Sequence, residues 1–213
     1  MKKTIFYLIL IAIVAASCNN QPKTDSQKEI EKEAPKELFK TLEGGTVCYT
    51  IGDQYAGEFV LGDEIPTAEF LENFDIRKES VSKRAEGEEV IENLYIISKE
   101  GADMIQLKPT IEMVNETEIE HIGEILVVSE KFKTGKGICV NSTLEDFIKA
   151  YPDYSIWYTY VSDRYVMETS ETNGQFLLSA NDFMGQIENN SDIITLKKED
   201  FKPGAKIKSI RLF

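Results

Sequence analysis

Histidine occurs once in these 213 residues, tryptophan once, cysteine three times and proline six times. Each scarcity excludes chemistry. His121 has no second histidine to share a metal with, and it lies in Glu118-Ile-Glu-His-Ile122, a strand-like run flanked by acids. A half-buried strand histidine is the plain reading there, although general acid–base catalysis favours this residue type. No CxxC pair, GxSxG, HExxH, P-loop or GxGxxG context occurs. Asp53, Asp63 and Glu64 sit near turns but form no Asp-x-Asp-x-Asp-Gly loop, so neither metal nor cofactor is expected. Basic residues are also in deficit: 24 Lys and Arg face 37 Asp and Glu, a formal charge of −13. Such a chain repels phosphate backbones, which argues against nucleic acid as a partner. It is repelled by anionic lipid headgroups as well, so no basic patch can hold it to a membrane.

What is present begins at Met1. Lys2 and Lys3 precede an apolar run, Ile5–Val14, then the small residues Ala15-Ala16-Ser17, then Cys18. The run is shorter than the ~20 residues a spanning helix needs. Basic start, short apolar centre and small-residue end make a secretory signal peptide over 1–17. The small residues ending in cysteine resemble the lipobox of bacterial lipoproteins, with Ala15 where leucine is more usual. That resemblance implies cleavage before Cys18 and lipidation of its sulfur. It makes the membrane a partner through the lipid on Cys18. Asn19 follows, not the aspartate that retains some lipoproteins at the inner membrane. The resemblance therefore implies an outer-membrane anchor, with the domain facing periplasm or cell surface.

Residues 18–37 read as the lipidated cysteine and a flexible tether. They hold Gln, Asn, Lys, Glu, Pro22 and Pro35 with one aliphatic residue, Ile30. Too little apolar surface is available there to offset the entropy of ordering. With Cys18 acylated, Cys48 and Cys139 remain. A disulfide between them would close a loop of roughly 90 residues, worth about 4–5 kcal/mol by chain entropy. Two buried free thiols are the alternative.

The folded part divides at 38–118 and 119–213. Thr46–Ile51, Glu58–Leu61, Arg77–Ala85, Val90–Ser98 and Met104–Leu107 read as strands, with Lys99–Asp103 as a hairpin loop and Pro109 as a stop. Pro66 can open a helix whose face carries Phe70, Leu71 and Phe74. In the second half Ile119–Ser129 and Ile138–Val140 are strands. Leu144, Phe147, Ile148 and Tyr151 then share one helical face, stopped by Pro152. Ser142 with Glu145 makes a capping box; Thr143 with Asp146 is the shifted alternative. Ser155–Val161, Tyr165–Thr169, Gln175–Ser179 and Ala205–Phe213 are strands, with Thr172-Asn173-Gly174 as a hairpin turn.

Phe59–Ile65 can be laid on Ile138–Leu144, strand–turn–helix entry on strand–turn–helix entry, which suggests two similar units. The expected class is therefore α+β: mainly antiparallel sheet with one short helix per half. The run Gly137-Ile-x-Val-Asn-Ser-Thr143 resembles a Gly-Ile-x-Val-Gly-Ser-Thr motif of uncharacterised exported lipoproteins. The C-terminal half also resembles small α+β modules of assembly lipoproteins and β-lactamase-inhibitor-like domains. Asn141 stands where glycine is common, and asparagine tolerates the left-handed backbone such a turn needs.

Trp157, Tyr158 and Tyr160 make an aromatic run that can serve as a binding surface or pack a core. No catalytic residue is singled out. The expected role is a non-enzymatic binding or assembly lipoprotein whose partner is an envelope protein or glycan. A carboxylate-based hydrolase of envelope polymers and a secreted inhibitor-type module are the alternatives.

Overall fold

Short β-rich stretches separated by glycine and asparagine turns dominate the chain, and strands are what they form. The computed structural model describes residues 39–41, 47–85, 88–187 and 191–213, all within one unit, Pro35–Phe213. The leader, Cys18 and the tether lie outside the described residues. No helix of the described residues is long and apolar enough to cross a membrane.

The smaller sheet joins β1 (Phe39–Thr41), β2 (Val47–Ile51), β3 (Tyr55–Ala56) and β4 (Phe59–Val60) in antiparallel order. The long strands β5 (Asp75–Ala85), β6 (Glu88–Lys99), β7 (Ala102–Val114) and β8 (Thr117–Val127) follow. Next comes β9 (Phe132–Thr134), which returns to pair β2 in parallel. The helix α1 (Leu144–Ala150) precedes β10 (Ser155–Thr159), β11 (Arg164–Thr169), β12 (Thr172–Leu178), β13 (Ile193–Thr195) and β14 (Ile207–Leu212). The larger sheet has nine strands in the order β13-β10-β11-β12-β14-β8-β7-β6-β5.

This corrects the expected α+β class: the fold is β-rich. Among the described residues α1 is the only α-helix. Pro66 opens only a 3-10 turn, Ala68–Phe70, and Leu71 is already extended, with Phe70 in solvent. The Phe59–Ile65 segment has no helix to enter. Its Gly62–Ile65 backbone bonds instead to Glu120 and Ile122 of β8. In the matching segment the expected strand Ile138–Val140 does not form, while the turn and the helix entry before α1 do. Asn141 takes φ +70°. Thr143, not Ser142, is the N-cap: its hydroxyl accepts from Asp146 N, and the Asp146 carboxylate accepts from Thr143 N. The Ser142 hydroxyl accepts from Cys139 N.

Hairpin geometry follows from turn chemistry. Glu100 and Gly101 between β6 and β7, and Asn115 and Glu116 between β7 and β8, all have positive φ. Two such residues in a row match the right-handed twist of the strands they join. Between β11 and β12 the turn is Ser170-Glu171, and the expected Thr172–Gly174 turn is strand. Asp153 causes the displacement. Its carboxylate accepts from the Ser170 N–H and hydroxyl and from Thr169 Oγ1.

One face of the large sheet, with α1 and the small sheet, forms a single core. Ile97, Ile105, Leu107, Ile125, Val127, Phe176, Ile210 and Leu212 project into it. Burying such side chains contributes about 1.5–3 kcal/mol each relative to exposure. Tyr151 hydrogen-bonds Thr134 from within it, which satisfies a phenol that would otherwise be costly to bury.

Candidate functional site

The other face of the large sheet carries the polar residues. Strand alternation puts Trp157 of β10, Glu168 of β11, Gln175 of β12, Arg211 of β14 and Glu124 of β8 there. They link into one hydrogen-bonded row across five neighbouring strands. Trp157 Nε1 donates to Glu168 at 3.0 Å, and Gln175 Nε2 donates to the other Glu168 oxygen at 2.7 Å. Arg211 Nη1 donates to Gln175 Oε1 at 3.0 Å and Nη2 to Glu124 at 2.7 Å. Arg211 Nε–H is buried without an acceptor, and the guanidinium lies 4.4 Å from the Phe213 ring centroid.

A cleft of about 370 Å³ opens over the β8 end of this row. Val81 of β5, Leu94 of β6, Lys108 of β7, Glu124 and Leu126 of β8, and Arg211 line it. Ser162 and Arg164, at the β10–β11 turn, line it too. β5 is one edge of the nine-stranded sheet and β10 lies beside the other edge. Their meeting at one cleft means that the sheet curls around this face.

Charges in the cleft are mostly matched. Lys108 reaches Glu92 at 3.2 Å and Arg211 reaches Glu124. Arg164 makes no ion pair among the described residues. The wall therefore offers one surplus cation and several hydrogen-bonding groups beside the apolar patches of Val81, Leu94 and Leu126. An arginine at such a mouth suits a carboxylate or another planar anion. Each cleft carboxylate faces a cation instead of a second carboxylate, unlike the paired acids of glycoside hydrolysis.

A second polar centre lies on the core side of the arms formed by β5–β8. Glu120 accepts from Tyr95 Oη, from Asn93 Nδ2 at 2.8 Å and from Lys78 Nζ at 3.1 Å. Burial alone would raise the Glu120 carboxyl, but these three donors outweigh it and hold it below its ordinary value. Bonding to Tyr95 and Glu120 raises the Lys78 ammonium. The neighbouring His121 points to the opposite face. Its Nε2 lies 3.2 Å from Glu112 Oε2 without the alignment of a hydrogen bond.

The aromatic run does not form one platform. Period-two alternation sends Trp157 to the polar face and Tyr158 to the core. Tyr158 donates to Asp163 there, which pushes its phenol up to about 12. Tyr158 packs edge-on against Tyr160 at 5.0 Å and at a tilt against Tyr165 at 4.9 Å. Cys48 and Cys139 are free thiols, not a bridged pair. Cys48 is buried in β2, while Cys139 lies in the turn before α1 with its sulfur 3.5 Å from Ser142 Oγ. Cys18 lies outside the described residues. Among the described residues no group of three or more His, Cys, Asp or Glu is arranged to hold a metal ion. Sequence reasoning missed Arg211, Glu124, Gln175 and Glu168. The one local signal was an arginine inside the otherwise apolar end of the last strand.

No protein-family model matches the chain, and no curated protein sequence does. Among solved structures it is similar to the crystal structure of the uncharacterized protein yfeY from Escherichia coli. Identity is 14 %, the TM-score is 0.46, and the match covers 76 % of this chain and 98 % of that one.

Proposed function

We propose that this chain is an envelope lipoprotein, anchored by lipid on Cys18, whose β-rich domain is a non-enzymatic binding or assembly module. The lipobox-like leader supports the anchor. Two acyl chains on one residue are enough for stable attachment, because each buried CH₂ contributes about 0.8 kcal/mol. The curled polar face supports the binding role. Its cleft combines Arg164, a surplus cation, with side chains already fixed in place by Glu124, Gln175 and Glu168. Such a preorganised surface loses little side-chain entropy when a partner arrives. The ligand it suits is polar, partly apolar and carries a carboxylate or similar anion.

Two measurements test the reading. Cys18→Ala should move the protein from the membrane to the soluble fraction; unchanged membrane attachment removes the anchor. A photo-crosslinking residue at position 164 should capture an envelope protein or glycan in intact cells. The same group at Val161, which is exposed outside the cleft lining, should not. Turnover of a cell-wall glycan by the purified protein would replace binding with hydrolysis.

A further inference from the structure

The large sheet forks. β6 and β7 pair only from Lys99↔Ala102 to Tyr95↔Leu107. Yet β5–β6 stays paired out to Ala85↔Glu88, and β7–β8 out to Val114↔Thr117. Pro109 stands just past the point where the ladder between β6 and β7 ends. It has no N–H to donate, so a central ladder cannot run through it. A bulge at Lys108/Pro109, opposite Gly123, re-aims the arm at the same place. Beyond Leu107, β7 therefore has β8 on one side and no described strand on the other.

Solvent reaches the apolar side chains along this edge. Ile111 is 58 % exposed and Met113 61 %, and Ile91 on the facing arm is 70 % exposed. Ile111 and Met113 share one face of β7, while Thr110 and Glu112 share the other. Natural sheets usually blunt free edges with lysine, brevity or cover. The outer edge β5 carries Arg77 and Lys78, and β13 is three residues long. On β7, Pro109 and the bulge at Lys108/Pro109 blunt only the root of the arm; from Thr110 to Val114 the edge carries no lysine, no proline and no bulge.

We infer that this inner edge of β7 is a strand-addition site for an extended segment of another protein, one that alternates apolar and basic residues. Main-chain groups of the incoming strand would pair with β7 in the place β6 vacates. Its apolar residues would lie beside Ile111 and Met113, and its Lys or Arg beside Glu112. Glu116 and Glu118 at the arm tip add negative charge without an ion-pair partner among the described residues. A second copy of this chain is disfavoured because it brings the same carboxylates and a net charge of −13. The inference shares with the proposed function only the premise that the domain binds a partner.

The test uses the full-length chain in detergent and a ten-residue peptide alternating Val and Lys. Binding should protect the amides of residues 110–114 from hydrogen exchange. Methylating alternate peptide nitrogens on the β7-facing side leaves the side chains intact and should weaken binding about tenfold, the loss of one or two main-chain hydrogen bonds. Ile111→Lys should weaken it similarly, and a Val–Glu peptide should not bind. Because Ile111 is exposed, an unchanged melting temperature will verify that this variant folds. Binding indifferent to methylation, protection elsewhere, or peptide-free dimerisation that protects the same amides would each overturn the assignment. Loss of peptide binding with crosslinking at position 164 intact would remove the edge and leave the cleft standing.

Discussion

Two regions of the same sheet treat their apolar residues in opposite ways. Around α1, Phe147, Tyr151 and Phe176 meet with ring centroids 4.7–6.1 Å apart, and all three are buried. In the arms built from β5–β8, Ile91, Ile111 and Met113 stand in solvent. Both regions are rich in β-branched residues, but β10–β12 hold Trp157, Tyr158, Tyr165 and Phe176 whereas Tyr95 is the one aromatic residue of β5–β8. Cover separates them as well. The strands beside α1 have a helix and a second sheet to pack against, whereas on the face that carries Ile111 the distal arms meet a polar cluster around Glu120, which leaves Ile111 and Met113 in solvent. Strand propensity makes both regions strands, but only tertiary cover makes a strand part of a core.

The largest expected effect lies in that difference. Phe147→Ala should destabilise the domain by about 3–5 kcal/mol, the usual cost of emptying a packed aromatic site. Ile111→Ala should change stability by less than about 0.5 kcal/mol, as for an ordinary surface substitution. Urea unfolding of both variants measures the contrast. Comparable losses would mean that the arm is covered in solution, and the comparison would fail.

Gly123 offers a smaller, sharper test, because it is where the arm departs from the core. A Cβ added there would meet Thr110 Cγ2 at 2.4 Å and Thr110 N at 3.2 Å. Gly123→Ala should therefore cost about 1–3 kcal/mol, in the range of overpacking changes. Thr110→Ser deletes the clashing methyl and should recover part of that loss in the double variant. The backbone nitrogen remains close, so recovery should be incomplete. Purely additive losses in the double-mutant cycle would show that the two positions do not touch.

Helix α1 was legible because its signals are local: cap, 3.6-residue period and proline stop lie within a dozen residues. Sequence leaves Ser142 and Thr143 as rival caps, since both spacings fit a capping box, and the Cys139 N–H decides between them by occupying Ser142. The helix expected after Pro66 failed because one apolar face is not enough; Phe70 found nothing to pack on. In the sequence Pro109 reads as the end of a strand. It ends only one ladder: β7 runs on to Val114, held by β8, and the consequence is a fork instead of a stop. The polar row was illegible. Glu124 and Arg211 are 87 residues apart, and only the β8–β14 register brings them together. The aromatic run misled for a related reason, since adjacency in sequence means opposite faces in a strand.

The smallest effect concerns acid. Asp153, beside the α1 core, is held down to about 2 by the Ser170 hydroxyl, by Thr169 and by the Ser170 N–H. Its unfolded value is about 3.9. A carboxyl depressed in the folded state adds stability above its unfolded value, and that contribution disappears as pH falls from about 4 through 2. In the arm, Glu120 is likewise held below its ordinary range by its donors against the opposing pull of burial. It should lose its contribution in the same direction, from its unfolded value downward. Asp153→Asn should flatten the fall of the urea midpoint between pH 4 and 2 and lower the midpoint at pH 7, since the amide cannot accept three donors as well. Glu120→Gln should flatten it too, and its effect should read out as earlier hydrogen exchange in β5–β8 alone. If acid loosened the α1 region and the arms together in both variants, the two regions would be one cooperative unit, and the contrast between covered and uncovered strands would carry no energetic meaning.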